Sequence, residues 1–155
     1  MHFPIIVIEE AYTKKADFID TLDYEDGTLN HYTDYYGEEY TSEERKNVIK
    51  SKWLKELFSG IATIDVKRET ITFLDADTIK ETICQYMVDL TKRLHEQAEN
   101  GEMSCFQFRW AGVEYKGCSA MFYKGYGFTS FQFIEDAPYY AGQTYKFGNI
   151  FDAHF

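Results

Sequence analysis

Apolar positions along this chain follow three rhythms. From Asp77 to Glu99, residues Ile79, Ile83, Met87, Leu90 and Leu94 recur every three or four positions, with Tyr86 alongside. That spacing predicts one apolar stripe on an α-helix. Asp75 or Asp77 suits the cap at its start, because a short carboxylate accepts a bond from the free N–H groups of the first turn. Asn100-Gly101 suits its end, where a left-handed residue closes a helix. The same rhythm follows Thr41. Thr41-Ser42-Glu43-Glu44 has the spacing of a capping box, and Ile49, Trp53 and Leu57, with Val48 and Leu54 beside them, mark the buried side of a helix over 42–59 that Gly60 closes. Arg45, Lys46, Lys50, Lys52 and Lys55 crowd the remainder of that helix.

The second rhythm is continuous. Phe3 to Ile8 is apolar and β-branched, which predicts a buried strand over 3–8 with Pro4 at its start, where a missing N–H is tolerated. Glu9-Glu10 marks its end, and Phe18, Ile19 and Leu22 suggest a short amphipathic turn beyond it.

The third rhythm alternates. Residues 61–66 and 70–74 alternate apolar and polar residues around Lys67-Arg68-Glu69 and read as a β-hairpin. Phe106, Phe108 and Trp110 alternate with Gln107 and Arg109, and a two-residue turn at Ala111-Gly112 would set Trp110 against Val113, Arg109 against Glu114 and Cys105 against Cys118. Met121–Tyr123 continues as strand, and 128–134 returns after a turn. The tail from Glu135 to Phe155 is too aromatic to be free and is expected to pack on the sheet. The predicted fold is therefore α+β: one domain over 1–155, with antiparallel hairpins or a meander in the C-terminal half. These pack against helices at about 42–59 and 77–99, with an N-terminal strand at 3–8.

Composition changes this picture in one respect. A chain of 155 residues can bury a sizeable core, and 13 tyrosines with 13 phenylalanines supply both core area and polar-tipped surface rings. The formal charge is −10, from 26 acidic and 16 basic side chains. All of it is confined: residues 1–44 hold 12 acidic and 2 basic side chains, and the remainder is balanced. A surface so negative does not suit free nucleic acid, whose phosphates need a positive field. It suits a cationic partner.

The search for catalytic motifs is negative. There is no G-x-S-x-G, Walker loop, G-x-G-x-x-G or H-E-x-x-H. The histidines are scattered, and His95 stands near a helix C-terminus, where the dipole favours a cation. Cys84, Cys105 and Cys118 have no metal-like spacing, and Cys84 borders the predicted apolar stripe. Asp23, Glu25, Asp26 and Asp34 do not form a calcium-loop ladder. No catalytic residue, metal or cofactor is predicted. The apolar start is too short for a signal-peptide core and nothing spans a membrane, so the expected location is cytoplasmic, with reduced thiols.

What remains is the acidic, tyrosine-studded segment 23–44. Asp23, Glu25, Asp26, Asp34, Tyr35, Tyr36, Glu38, Glu39, Glu43 and Glu44 form the candidate partner-binding set. Carboxylates displayed on a rigid surface imitate nucleic-acid phosphates, and rings between them add desolvated anchors. The size and charge are those of small inhibitors from phages and mobile elements that dock on the basic groove of a nucleic-acid-handling protein. The plain competitor is a solvated face neutralised by the basic helix that follows it. A different class of function would be a small enzyme or ligand-binding domain with an aromatic pocket lined by Tyr115, Tyr123 and Tyr126.

Overall fold

The computed structural model describes residues 2–19, 35–105, 121–123 and 137–154, with the backbone alone at 2–3, 35–38, 121–123 and 153–154. In chain order the elements are β1 (His2–Glu10), β2 (Tyr35–Glu39), α1 (Ser42–Lys50), α2 (Lys52–Leu57), β3 (Ala62–Asp65), β4 (Thr70–Phe73), α3 (Ala76–Glu99), β5 (Met121–Tyr123) and β6 (Thr144–His154). The architecture is α+β. Six strands form one sheet in the order β3-β4-β6-β1-β5, with β2 also paired to β6. Every pairing is antiparallel except β1 with β5, where Ile5, Ile6 and Val7 run parallel to Met121, Phe122 and Tyr123. Apart from Cys105, the hairpin expected over 105–118 and the return strand at 128–134 lie outside the described residues.

β1 extends two residues past the predicted strand end. Its Ile5, Ile6, Val7 and Ile8 are all fully buried, so both faces of this strand are covered. That is the condition under which a strand reads as an unbroken apolar run rather than an alternation.

The aromatic tail does more than pack on the sheet. As β6 it is a central strand, paired along one edge to β1 from His2↔His154 to Glu10↔Tyr145. The register slips between Ile6 and Ile8, which oppose Ile150 and Phe147. The extra β6 residue is a β-bulge at Gly148–Asn149, and it changes which positions face the core. Tyr145, Phe147 and Ile150 thereby join Ile6 and Ile8 in one apolar cluster, while Phe151 is buried outside it. A Cβ on Gly148 would stand 2.9 Å from Glu9 Cγ and 3.3 Å from Val7 Cβ, so the bulge has room for glycine and nothing larger.

The other edge of β6 is shared. β4 pairs with Thr144, Tyr145 and Lys146, and β2 pairs with Phe151, Ala153 and His154. Between them the Phe147 N–H donates to Glu69 O at 2.9 Å and the Tyr40 N–H donates to Ile150 O at 2.8 Å. The carbonyls of Phe147 and Gly148 fall in the gap.

Arg45 fills it. Its Nε donates to Gly148 O at 2.6 Å, its Nη2 donates to Phe147 O, and its Nη1 meets Glu69 Oε2 at 2.5 Å. Arg45 is expected on the exposed basic side of its helix; it is buried instead, and the reason is this pair of carbonyls, which no strand among the described residues reaches.

The single helix expected over 42–59 is two. Ser51 has extended geometry, with φ −60° and ψ 146°, and serves both as the end of α1 and as the cap of α2. Its hydroxyl donates to Val48 O at 2.7 Å and accepts from the Leu54 N–H at 3.1 Å, so the break leaves few backbone groups unmatched. The interruption also rotates the buried stripe. An unbroken helix would bury Ile49, Trp53 and Leu57; the structure buries Ile49, Leu54 and Phe58 and leaves Trp53 and Leu57 half-buried.

α3 matches its predicted span. Asp75 is the cap, its carboxylate accepting from the Thr78 N–H at 2.9 Å and from the Thr78 hydroxyl at 2.7 Å. At the far end Gly101 takes the left-handed φ of 71°, and the Gly101 and Glu102 N–H groups return to Ala98 O and Gln97 O in a Schellman closure. Ile79, Ile83 and Leu90 are buried, and Met87 packs on the core. The Thr82 hydroxyl donates to Gly60 O at 2.9 Å and ties α3 to the chain just after α2. β3 and β4 form the predicted hairpin, paired from Ala62↔Phe73 to Asp65↔Thr70.

Candidate functional site

Of the ten candidate partner-binding residues, Asp23, Glu25, Asp26 and Asp34 lie outside the described residues. Tyr35, Tyr36, Glu38 and Glu39 belong to β2, and pairing with β6 makes this part of the segment strand. Glu39 ends β2, and Glu43 and Glu44 open α1 two residues further on, all three exposed. The connection Tyr40-Thr41 is tightly held. The capping box is complete: the Glu44 N–H donates to Thr41 Oγ1 at 3.3 Å, and the Glu44 carboxylate accepts from the Thr41 N–H at 2.9 Å and its hydroxyl at 2.7 Å. The Thr41 bonds hold the Glu44 carboxyl below its usual range, first through the hydroxyl and then through the backbone. Acid in the first turn also suits the helix dipole.

Tyr40 reports a further member of this face. Burial pushes its hydroxyl above the ordinary tyrosine range, and the negative charges of Asp152 and then Glu44 push it further in the same direction. Asp152 comes from β6, brought beside the corner by the β2–β6 ladder. Its membership had no signal in the sequence, because it rests on a pairing between distant segments.

The described cations of the basic helix have other partners or have none of these carboxylates within ion-pair distance. Arg45 is bound to Glu69, and Lys52 reaches Glu56 at 3.1 Å. Among the described residues no ion pair joins Lys46, Lys50 or Lys55 to Glu39, Glu43 or Glu44. The segment before the undescribed part of the acidic stretch is also anchored. The Ile19 N–H donates to the buried Glu9 carboxylate at 2.9 Å, Asn149 Nδ2 donates to Ile19 O at 3.0 Å, and Lys146 Nζ donates to Thr13 O at 2.9 Å.

A second feature escaped the sequence reading. A cavity of about 320 Å³ opens between α1 and the β3–β4 turn, lined by Lys46, Ile49, Lys50, Val66, Lys67 and Glu69. Lys46 and Lys50 stand one helical turn apart, and the turn brings Lys67 to them. The turn is shaped by Asp65, whose Oδ1 accepts from the Lys67 and Arg68 N–H groups at 2.9 and 3.0 Å. It ends at Glu69, which has a φ of 53°, a left-handed conformation rare for a residue with a side chain.

The remaining candidates have ordinary places. His95 lies 3.3 Å from Glu99 near the end of α3. Cys84 is exposed rather than bordering the core, and Cys105 is an exposed free thiol; Cys118 lies outside the described residues. Tyr115 and Tyr126 of the expected aromatic pocket lie outside them as well. Among the described residues no group of three or more His, Cys, Asp or Glu is placed to hold a metal ion, and no helix is long and apolar enough to cross a membrane. Comparison of the chain with family models, with curated proteins and with solved structures found no match.

Proposed function

We propose that this is a non-catalytic binding protein that offers its acidic N-terminal third to a basic protein surface, such as the groove of a nucleic-acid-handling protein, and inhibits that partner by occupying it. The single observation that carries the reading is the segregation of charge. The net −10 of the chain resides in residues 1–44, and among the described residues the exposed carboxylates of Glu39 and Glu43 form no ion pair with the cationic helix. Their frame is a strand paired into the sheet, a capped helix, and a two-residue corner between them. Docking of this kind is driven by complementary fields, which raise the association rate and weaken with salt.

The test is a titration against a panel of nucleases and other basic nucleic-acid-binding proteins at rising ionic strength. Glu39→Gln/Glu43→Gln is the chosen variant, because Glu44 also caps α1 and its loss would confound folding with binding. The expected result is a complex whose association slows with salt and with the double substitution. A complex indifferent to both, or an absence of any complex with basic partners, would refute the proposal.

A further inference from the structure

The cavity between α1 and the β3–β4 turn gathers three lysines in a protein whose net charge is −10. Lys46 and Lys50 are like charges at i,i+4, a spacing that destabilises a helix unless something neutralises it. Lys67 is added from the facing turn. No described carboxylate forms an ion pair with any of the three. The one acid in the lining, Glu69, is held by Arg45 at 2.5 Å, so its charge is matched before any ligand arrives. Glu69 also carries the turn's left-handed backbone, with its carbonyl accepting the Phe147 N–H. Strained backbone persists where surrounding structure over-determines it, and it is enriched at binding sites. Ile49 and Val66 give the cavity an apolar part beside its cations.

We infer that this cavity is an anion-binding site for a phosphate-bearing small molecule, with Lys46, Lys50 and Lys67 as its three cationic contacts. Lysine ammonium groups bind phosphate as mobile point charges, so three of them accommodate a di- or triphosphate group without a fixed fork. The volume lies at the lower end of that of small-ligand pockets, enough for a diphosphate with part of an attached group against Ile49 and Val66. The site is independent of the acidic docking face, and either can fail without the other.

The experiment uses the intact protein and three probes: sodium pyrophosphate, a nucleoside diphosphate, and vesicles containing an anionic phospholipid. Calorimetry gives stoichiometry, and amide chemical shifts locate the contact. Pyrophosphate is expected to bind one to one with a dissociation constant of about 1 mM or tighter, moving the amides of 46–50 and 66–69. Lys46→Gln, Lys50→Gln and Lys67→Gln are each expected to weaken binding about two- to fivefold, with an undiminished urea midpoint as the control for folding. A tighter nucleoside diphosphate assigns Ile49 and Val66 to the attached group; equal affinity assigns the site to phosphate alone, and both support the inference. It is overturned by an unsaturable response to pyrophosphate, by saturable binding that the three substitutions leave unchanged, or by binding to vesicles without binding to pyrophosphate. It is also overturned if the lysine variants abolish only a concentration-dependent dimer, since the occupant would then be the acidic segment of a second copy.

Discussion

Replacing Arg45 tests the physical account of the sheet most directly. The guanidinium is the donor for two carbonyls, Phe147 O and Gly148 O, that lie where β4 has ended and β2 has not begun. Arg45→Ala leaves both without it and frees the Glu69 carboxylate. A hydrogen bond to a charged donor is worth about 1.5–3 kcal/mol, and breaking a buried ion pair costs about 3–5 kcal/mol. Glu69 retains 32% of its exposure and recovers its hydration, so the buried-pair figure does not add to the loss, which is set by the two carbonyl bonds. The expected loss for Arg45→Ala is about 3–5 kcal/mol in total. With a urea dependence of about 2 kcal/mol per molar, the unfolding midpoint should fall by about 1.5–2.5 M.

Arg45→Lys keeps the charge but offers one compact ammonium in place of a fork, and should lose about half as much. It is also the safeguard if the alanine variant does not fold. Glu69→Gln leaves both carbonyl bonds in place and should cost about 1 kcal/mol. A double-mutant cycle between the two positions then separates the ion pair from the carbonyl contacts. If Arg45→Ala unfolds within about 0.5 kcal/mol of the parent, or if lysine serves as well as arginine, the gap-filling explanation is wrong.

Two further outcomes follow from the same geometry. Gly148→Ala should lose about 1–3 kcal/mol, because the new methyl would lie 2.9 Å from Glu9 Cγ at the bulge; thermal melts should show the loss shrinking in a Glu9→Ala background, and equal losses in both would refute the close approach. The carboxyls of Glu44 and Asp75 are held below their usual range by Thr41 and Thr78, so their folded-state values lie below their unfolded ones. Their contribution is present above the unfolded value and lost as pH falls through the folded one. Stability measured by urea midpoint should therefore decline as pH drops from about 5 to about 3, and Thr41→Ala/Thr78→Ala should flatten that part of the profile; an unchanged slope would sink the assignment.

The parts of the fold that were readable in advance are those decided locally. α3 has its cap, stripe and closing glycine within one stretch, and the β3–β4 hairpin has its alternation and its turn within another. The unreadable parts were decided at a distance. Nothing in 144–154 says that it is a central strand, because its aromatic pattern is interrupted by Gly148-Asn149 and acquires meaning only beside β1. Ser51 is compatible with a continuous helix; the break follows from burying Leu54 and Phe58 in place of Trp53 and Leu57.

The charge asymmetry was visible in the sequence, but its consequence was not, and Arg45 is why. By sequence proximity every cation of 45–55 is an equal candidate to neutralise the acidic segment. The fold distinguishes them. Arg45 turns inward to complete an interrupted ladder and takes Glu69 with it, and Lys52 meets Glu56 on its own helix. Lys46 and Lys50 turn toward the cavity, where Lys67 joins them. The cations of this helix therefore have different surroundings, and among the described residues none of Lys46, Lys50 and Lys55 forms an ion pair with Glu39, Glu43 or Glu44.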